Sequence, residues 1–185
     1  MPMPMPMPMP MSRPWARGLV SAAVLGLAAC APALDWRDVR AADGAVKAQL
    51  PCKPTTHTRK LMLAGQPSNL SLQACSAGGQ TWALAWVDVT DPARVGPALR
   101  ELRDTAVANI GAQSSSPLPL SVPGATPHAD STRLRLEGRR ADGQPVREQM
   151  ALFVRGTLVV QATALGAVLP DDAADTFFSS LRAGP

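Results

Sequence analysis

Thr81-Trp82-Ala83-Leu84-Ala85-Trp86-Val87-Asp88-Val89, followed at once by Thr90-Asp91-Pro92, is the stretch whose reading decides the fold. Successive side chains of an extended chain point to opposite sides. Trp82, Leu84 and Trp86 therefore share one face, and Ala83, Ala85 and Val87 the other. Both sets are apolar, which predicts a central strand covered on both faces. Thr90-Asp91-Pro92 predicts a helix start, with a capping side chain before a proline whose missing N–H does no harm there. Val95, Leu99, Leu102, Ala106 and Ile110 recur at three or four residues and form one apolar stripe. Gly111 supplies the stop, and Pro97 delays the regular helix.

Strands are predicted on either side of this unit. Val46, Ala48 and Leu50 alternate with Lys47 and Gln49, up to Pro51. Leu61 and Leu63 mark a short second strand, and Leu70, Leu72 and Ala74 a third. Ala77-Gly78-Gly79-Gln80 reads as a hairpin turn rather than a phosphate loop. After the helix, residues 112–130 are rich in Ser and Pro and read as a long surface loop, mobile or functional. Three strands follow: one with Leu134 and Leu136, one over 146–154 and one over 157–164. The turns between them fall at Ala141-Asp142-Gly143-Gln144 and Arg155-Gly156. Pro170-Asp171-Asp172 opens a last helix with Ala174, Phe177, Phe178 and Leu181 on its buried face, and the two acids suit the positive end of its dipole. The order predicts an α+β domain: a mostly antiparallel sheet of about six to seven strands with two main helices packed on it.

The N-terminal segment is of another kind. Residues 1–10 are five Met-Pro dipeptides, a low-complexity extension that bars a helix, so Met11 is the expected start. Arg13 and Arg17 precede an apolar stretch over 19–27. About nine such residues rise only about 14 Å as a helix, too little for a hydrocarbon core of about 30 Å, so a signal peptide over 11–29 is expected. Ala28-Ala29 alone would also serve ordinary cleavage. Leu27-Ala28-Ala29-Cys30, however, resembles the lipobox of bacterial lipoproteins in all four positions. That resemblance implies acyl chains on Cys30 and, with Ala31 next, sorting to the outer membrane on its periplasmic side. A tether over 30–42 and a single domain over 43–183 complete the organisation, with Trp36 docking on the domain.

A second resemblance covers about residues 36 to 182. Gly44-Ala45-Val46-Lys47-Ala48-Gln49-Leu50-Pro51 is similar to the opening strand of PsbP-like domains, which end such a strand in an apolar residue and Pro. The two-faced strand before a helix, the terminal hairpin and Phe177-Phe178-Ser179-Ser180-Leu181 also resemble that layout. Val46 stands where those domains usually carry an aromatic. The resemblance implies a fold and a tendency toward binding or assembly roles, and a fold alone does not carry a function.

Composition narrows the chemistry. The chain of 185 residues carries a formal charge of +4, which falls to +2 when Arg13 and Arg17 leave with the signal. The basic pairs Arg59-Lys60 and Arg139-Arg140 are too few to displace counterions from a nucleic acid. Tyr is absent, which disfavours a glycan-binding surface. Cys52 and Cys75 are expected to form a disulfide in an oxidising periplasm, with free thiols or redox or metal chemistry as alternatives. Were the first three strands a meander, both cysteines would lie at one end of one sheet. The two histidines, His57 and His128, read as exposed loop residues, with a zinc site shared with the two thiols as the alternative. Asp88 and Asp91 read as strand-end and capping residues and Asp104 as solvated, rather than as paired catalytic acids. No nucleophile motif is present, and no cofactor or metal is implied.

These readings converge on a non-catalytic binding or assembly factor, anchored in the membrane through Cys30 and meeting an envelope protein partner. The contact would lie in a helix-on-sheet groove, along 112–130, or at Arg139 and Arg140. A small-molecule or lipid carrier and an unrecognised periplasmic hydrolase are the alternatives.

Overall fold

In a computed structural model of the protein, residues 34–184 are described, Ala141 apart. The Met-Pro extension, the signal peptide, Cys30 and the first part of the tether lie outside the described residues.

Seven strands form one antiparallel sheet in the order β3-β4-β5-β9-β8-β7-β6. They are β3 (Thr55–Leu63), β4 (Gln66–Ala77), β5 (Gln80–Asp88), β6 (Ser114–Leu118), β7 (Thr132–Arg139), β8 (Pro145–Arg155) and β9 (Leu158–Gly166). A second antiparallel sheet of three strands joins β1 (Arg37–Ala41), β2 (Val46–Leu50) and β10 (Arg182–Ala183), with β2 in the middle. Helix α1 (Val95–Asn109) follows a 3-10 turn over Pro92–Arg94, and α2 (Asp171–Ser179) follows β9. The protein is thus α+β, with the larger sheet as its middle layer.

The two-faced strand β5 behaves as its alternation requires. Trp82 and Leu84 point into a core shared with α2 and the small sheet, while Ala85 and Val87 point into a second core under α1. Trp82 is fully buried and meets two rings edge-on: Trp36 at 5.9 Å and Phe177 at 5.6 Å between centroids. The series ends at the surface, where the Arg133 guanidinium lies 4.4 Å from the Phe178 ring centroid. Each such aromatic pair adds about 0.5–1.5 kcal/mol to simple burial. Trp36 docks as expected.

Three expectations change. Residues 37–41 are not tether but strand β1, paired to β2 with Val39 opposite Ala48. Val39 and Ala41 are buried while Arg37, Asp38 and Arg40 are exposed, so a short period-two pattern was present among the charges. Second, β2 lies in the small sheet, so β2, β3 and β4 are not one meander. Cys52 and Cys75 are nevertheless bonded, with Cα atoms 5.9 Å apart. The bridge joins the exit of β2 to β4 and so ties the small sheet to the large one.

Third, the Ser/Pro-rich stretch is neither wholly irregular nor loose. Its start forms the edge strand β6. Leu120, Val122 and Ala125 then pack on the core under α2, Thr126 bridges to Val154, and the Pro123 carbonyl accepts from the Ala183 N–H at 2.9 Å. Asp130 takes Arg100 of α1 at 2.7 Å. Gly124 makes the close pass past β10: its φ is +82°, and a Cβ there would fall 1.6 Å from the Ala183 carbonyl oxygen. The strain of a positive φ and of overpacking add. Gly124→Ala should therefore lower the unfolding free energy by about 2–4 kcal/mol in urea titrations; a loss under about 0.5 kcal/mol would show that the strap is not packed as described.

Candidate functional site

The acids considered for chemistry serve structure. Asp88 accepts from the Thr90 N–H at 2.8 Å and the Thr157 hydroxyl at 2.7 Å. Asp91 accepts from the Ala93 N–H at 2.9 Å and caps the 3-10 turn. Asp104 pairs with its neighbour Arg103. Asp171 pairs with Arg135. His128 accepts from the Asp130 N–H at 3.1 Å through Nδ1, beside the N-terminus of α1, while His57 stands on the edge strand β3. The two thiols are joined to each other, so the four-residue zinc site is not formed. Among the described residues no group of three or more His, Cys, Asp or Glu is placed to hold a metal.

The basic pair of the β7–β8 hairpin divides. Arg139 donates to the Gly143 carbonyl at 2.9 Å and closes the turn, and its N–H holds the Ile110 carbonyl at the end of α1 at 2.9 Å. Arg140 lines instead a concavity between helix and sheet, a groove expected from the sequence but without named lining residues.

That concavity is a groove of about 590 Å³ between α1 and the α1-facing side of the large sheet. Leu102, Ala106 and Ile110 form its wall on the helix. Strand parity supplies the floor. Leu61, Leu72, Ala83, Thr163 and Leu165 are all half-buried and lie on the side of the sheet that carries the α1 core. The register lays them in rungs across the strands, with Thr163 opposite Ala83, and Ala85 opposite both Leu72 and Gln161. Glu101 of α1 clamps the β3–β4 turn by accepting from the Ala64 N–H at 2.7 Å. His57 and Arg59 stand at the β3 rim and Arg140 at the hairpin rim, all exposed.

Glu148 is the chemically distinctive member. It sits on β8 in step with Val146, Met150, Leu152 and Val154, the residues that face α1. Its cross-strand neighbours on that face are Leu136 and Leu165. Only 5% of it is exposed. With apolar side chains along and across the strands, burial pushes its carboxyl from the ordinary 4.5 up to about 7, and no donor or cation among the described residues offsets the cost. Sequence reading missed it, although its parity with Val146 and Met150 was legible.

No protein-family model and no curated protein matches this chain.

The raised carboxyl gives a signed stability effect. Below about pH 4.5 Glu148 is protonated folded or unfolded and costs nothing. As pH rises through about 7 the unfolded chain ionises first, so the native state loses stability, by roughly 3 kcal/mol once the pH passes about 8. Glu148→Gln should remove this loss. Urea unfolding at stepped pH should show the variant's advantage growing between those limits, whereas parallel curves for the two proteins would contradict the burial of an ionisable acid.

Proposed function

We propose that the chain is a non-catalytic binding protein, held at the periplasmic face of the outer membrane by acyl chains on Cys30, and that it binds its ligand in the groove under α1. One observation carries the reading: an open groove with a half-buried apolar floor and a single buried acid. Its volume of about 590 Å³ lies within the range of about 300–1,000 Å³ typical of small-molecule sites. That favours the carrier of a small apolar or amphiphilic molecule over a factor that grips a folded envelope partner. The stretch over 112–130 is strapped to both cores, and Arg139 is engaged within its own hairpin, so neither offers a free arm to a partner.

Hydrolysis is disfavoured on geometry. A nucleophile needs a base within hydrogen-bond reach. Glu148 on β8 and His57 on β3 are four strand spacings apart, about 19 Å at about 4.8 Å per strand. Binding requires no cofactor. The α+β layout with one helix between two runs of strands supports the proposed PsbP-like assignment, which concerns the fold only.

Two measurements test the reading. Protein purified from envelopes, extracted with solvent and analysed by mass spectrometry, should yield an amphiphile near one per chain; Leu72→Trp, which fills the floor, should reduce it at least about fivefold. A ligand-free wild type would count against a carrier. Independently, Cys30→Ser should leave the protein unprocessed or move it out of the membrane fraction, and normal acyl labelling of that variant would remove the anchor from the account.

A further inference from the structure

We infer that the ligand of the groove is a single-chain amphiphile with a protonated amine head, its alkyl chain on the leucine floor and its ammonium against the Glu148 carboxylate. The inference rests on the groove being the ligand site, as proposed above, and names what the site selects.

Burial separates the charged groups around the groove. His57, Arg59, Arg140 and Glu101 are exposed, so water serves them, and Glu101 already holds the Ala64 N–H. Glu148 is different. It is almost wholly buried and flanked on its face by Val146, Met150, Leu136 and Leu165. Strands β9 and β5 contribute no charge to the groove, only residues such as Gln161, Thr163 and Ala83. The charged residues nearest along β7 and β8, Glu137, Arg147 and Arg135, belong to the opposite face by parity. There Arg147 pairs with Glu137, and Arg135 with Asp171.

A buried carboxylate without a donor is costly, and the group that relieves it must bring hydrogen and positive charge together. An ammonium offers three donors and a full charge, and such charge-assisted bonds are about twice as strong as neutral ones. A fatty acid would set a second carboxylate beside the first, which disfavours ionising both. A fatty alcohol would donate one bond and leave the charge unmatched. The half-buried leucines and alanines of the floor suit the chain in all three cases, so the head decides among them.

The selection carries a pH signature. An alkyl amine stays protonated throughout the neutral range, with a pKa near about 10, whereas the Glu148 carboxyl ionises around about 7. Between about pH 6 and about pH 8 the ionised fraction rises about tenfold, and the apparent affinity for the amine follows it. His57, Arg59 and Arg140 line the same groove at its exposed rim, on β3 and at the β7–β8 hairpin, and the comparison with Glu148→Gln separates the buried acid from them.

Calorimetric titration of the full chain with dodecylamine and dodecanoate below their micelle concentrations, and with dodecanol below its solubility limit, tests this directly. Dodecylamine should bind once per chain, more tightly than the other two at about pH 8, and gain about tenfold from about pH 6 to about pH 8. Glu148→Gln should flatten that gain and weaken amine binding about tenfold at the higher pH, with a thermal midpoint no lower than the wild type's, so that the loss is not unfolding. Leu72→Trp should weaken all three probes. If dodecanoate or dodecanol binds as well as the amine, or Glu148→Gln keeps the pH gain, the amine head is refuted while the groove stands. If none of the three binds, the groove itself is not a ligand site.

Discussion

An α-helix with its side chains is about 10–12 Å across, and seven strands at about 4.8 Å make a sheet more than twice as wide. Each face of that sheet is apolar over its middle strands, so each face must be covered. On one face α2 and the three-stranded sheet share the task, and Trp82, Phe177 and Leu50 are fully buried beneath them. On the other face α1 works alone. It packs on β8 and β9, and the side of the sheet toward β3 is left with Leu61 and Leu72 only half-buried. The groove is therefore a consequence of coverage: one helix on a wide sheet leaves a trough beside itself.

Glu148 follows from the same geometry. Strand β8 is buried on both faces from Glu148 to Val154, and its even positions all look toward α1. The strand fixes the direction of an acid in that series, so Glu148 looks into the trough among apolar neighbours. The native state bears the cost of a carboxyl held near neutrality, and it does so at the end of an apolar trough. Natural proteins keep such destabilising groups at sites that act, and perturbed titration in a cleft is a recognised sign of one. Exposed charges such as Arg59 and Arg140 impose no comparable cost and carry less information.

Local order made part of this legible in advance. The double alternation of Thr81 to Val89 pointed to a central two-faced strand, and the stripe from Val95 to Ile110 to α1; the 3-10 turn over Pro92–Arg94 was not foreseen, and Pro97 does not delay the helix, which begins at Val95 with the proline in its first turn. The last helix and the Cys52–Cys75 bridge were also readable. What was not readable is non-local. Strand β1 is five residues with two buried, and β10 is two residues; both exist because β2 pairs with them from distant parts of the chain. The bridge was expected within one sheet and instead links two, since the division of strands between sheets leaves no local mark. Glu148 showed its parity but not its surroundings. Whether an even position on β8 meets solvent, a helix or a trough depends on where α1 comes to rest.

The central claim is that the uncovered α1 side of the large sheet is a working ligand surface. Amide chemical-shift mapping of the isotope-labelled protein during titration with dodecylamine measures this most directly. The account predicts shifts concentrated at Glu148, Leu165, Thr163, Ala85 and Leu72, with Phe177, Ala183 and the other residues of the α2 side left in place. Shifts confined to the α2 side or to the outer surface of α1, or none at concentrations that saturate a groove of this size, would contradict it.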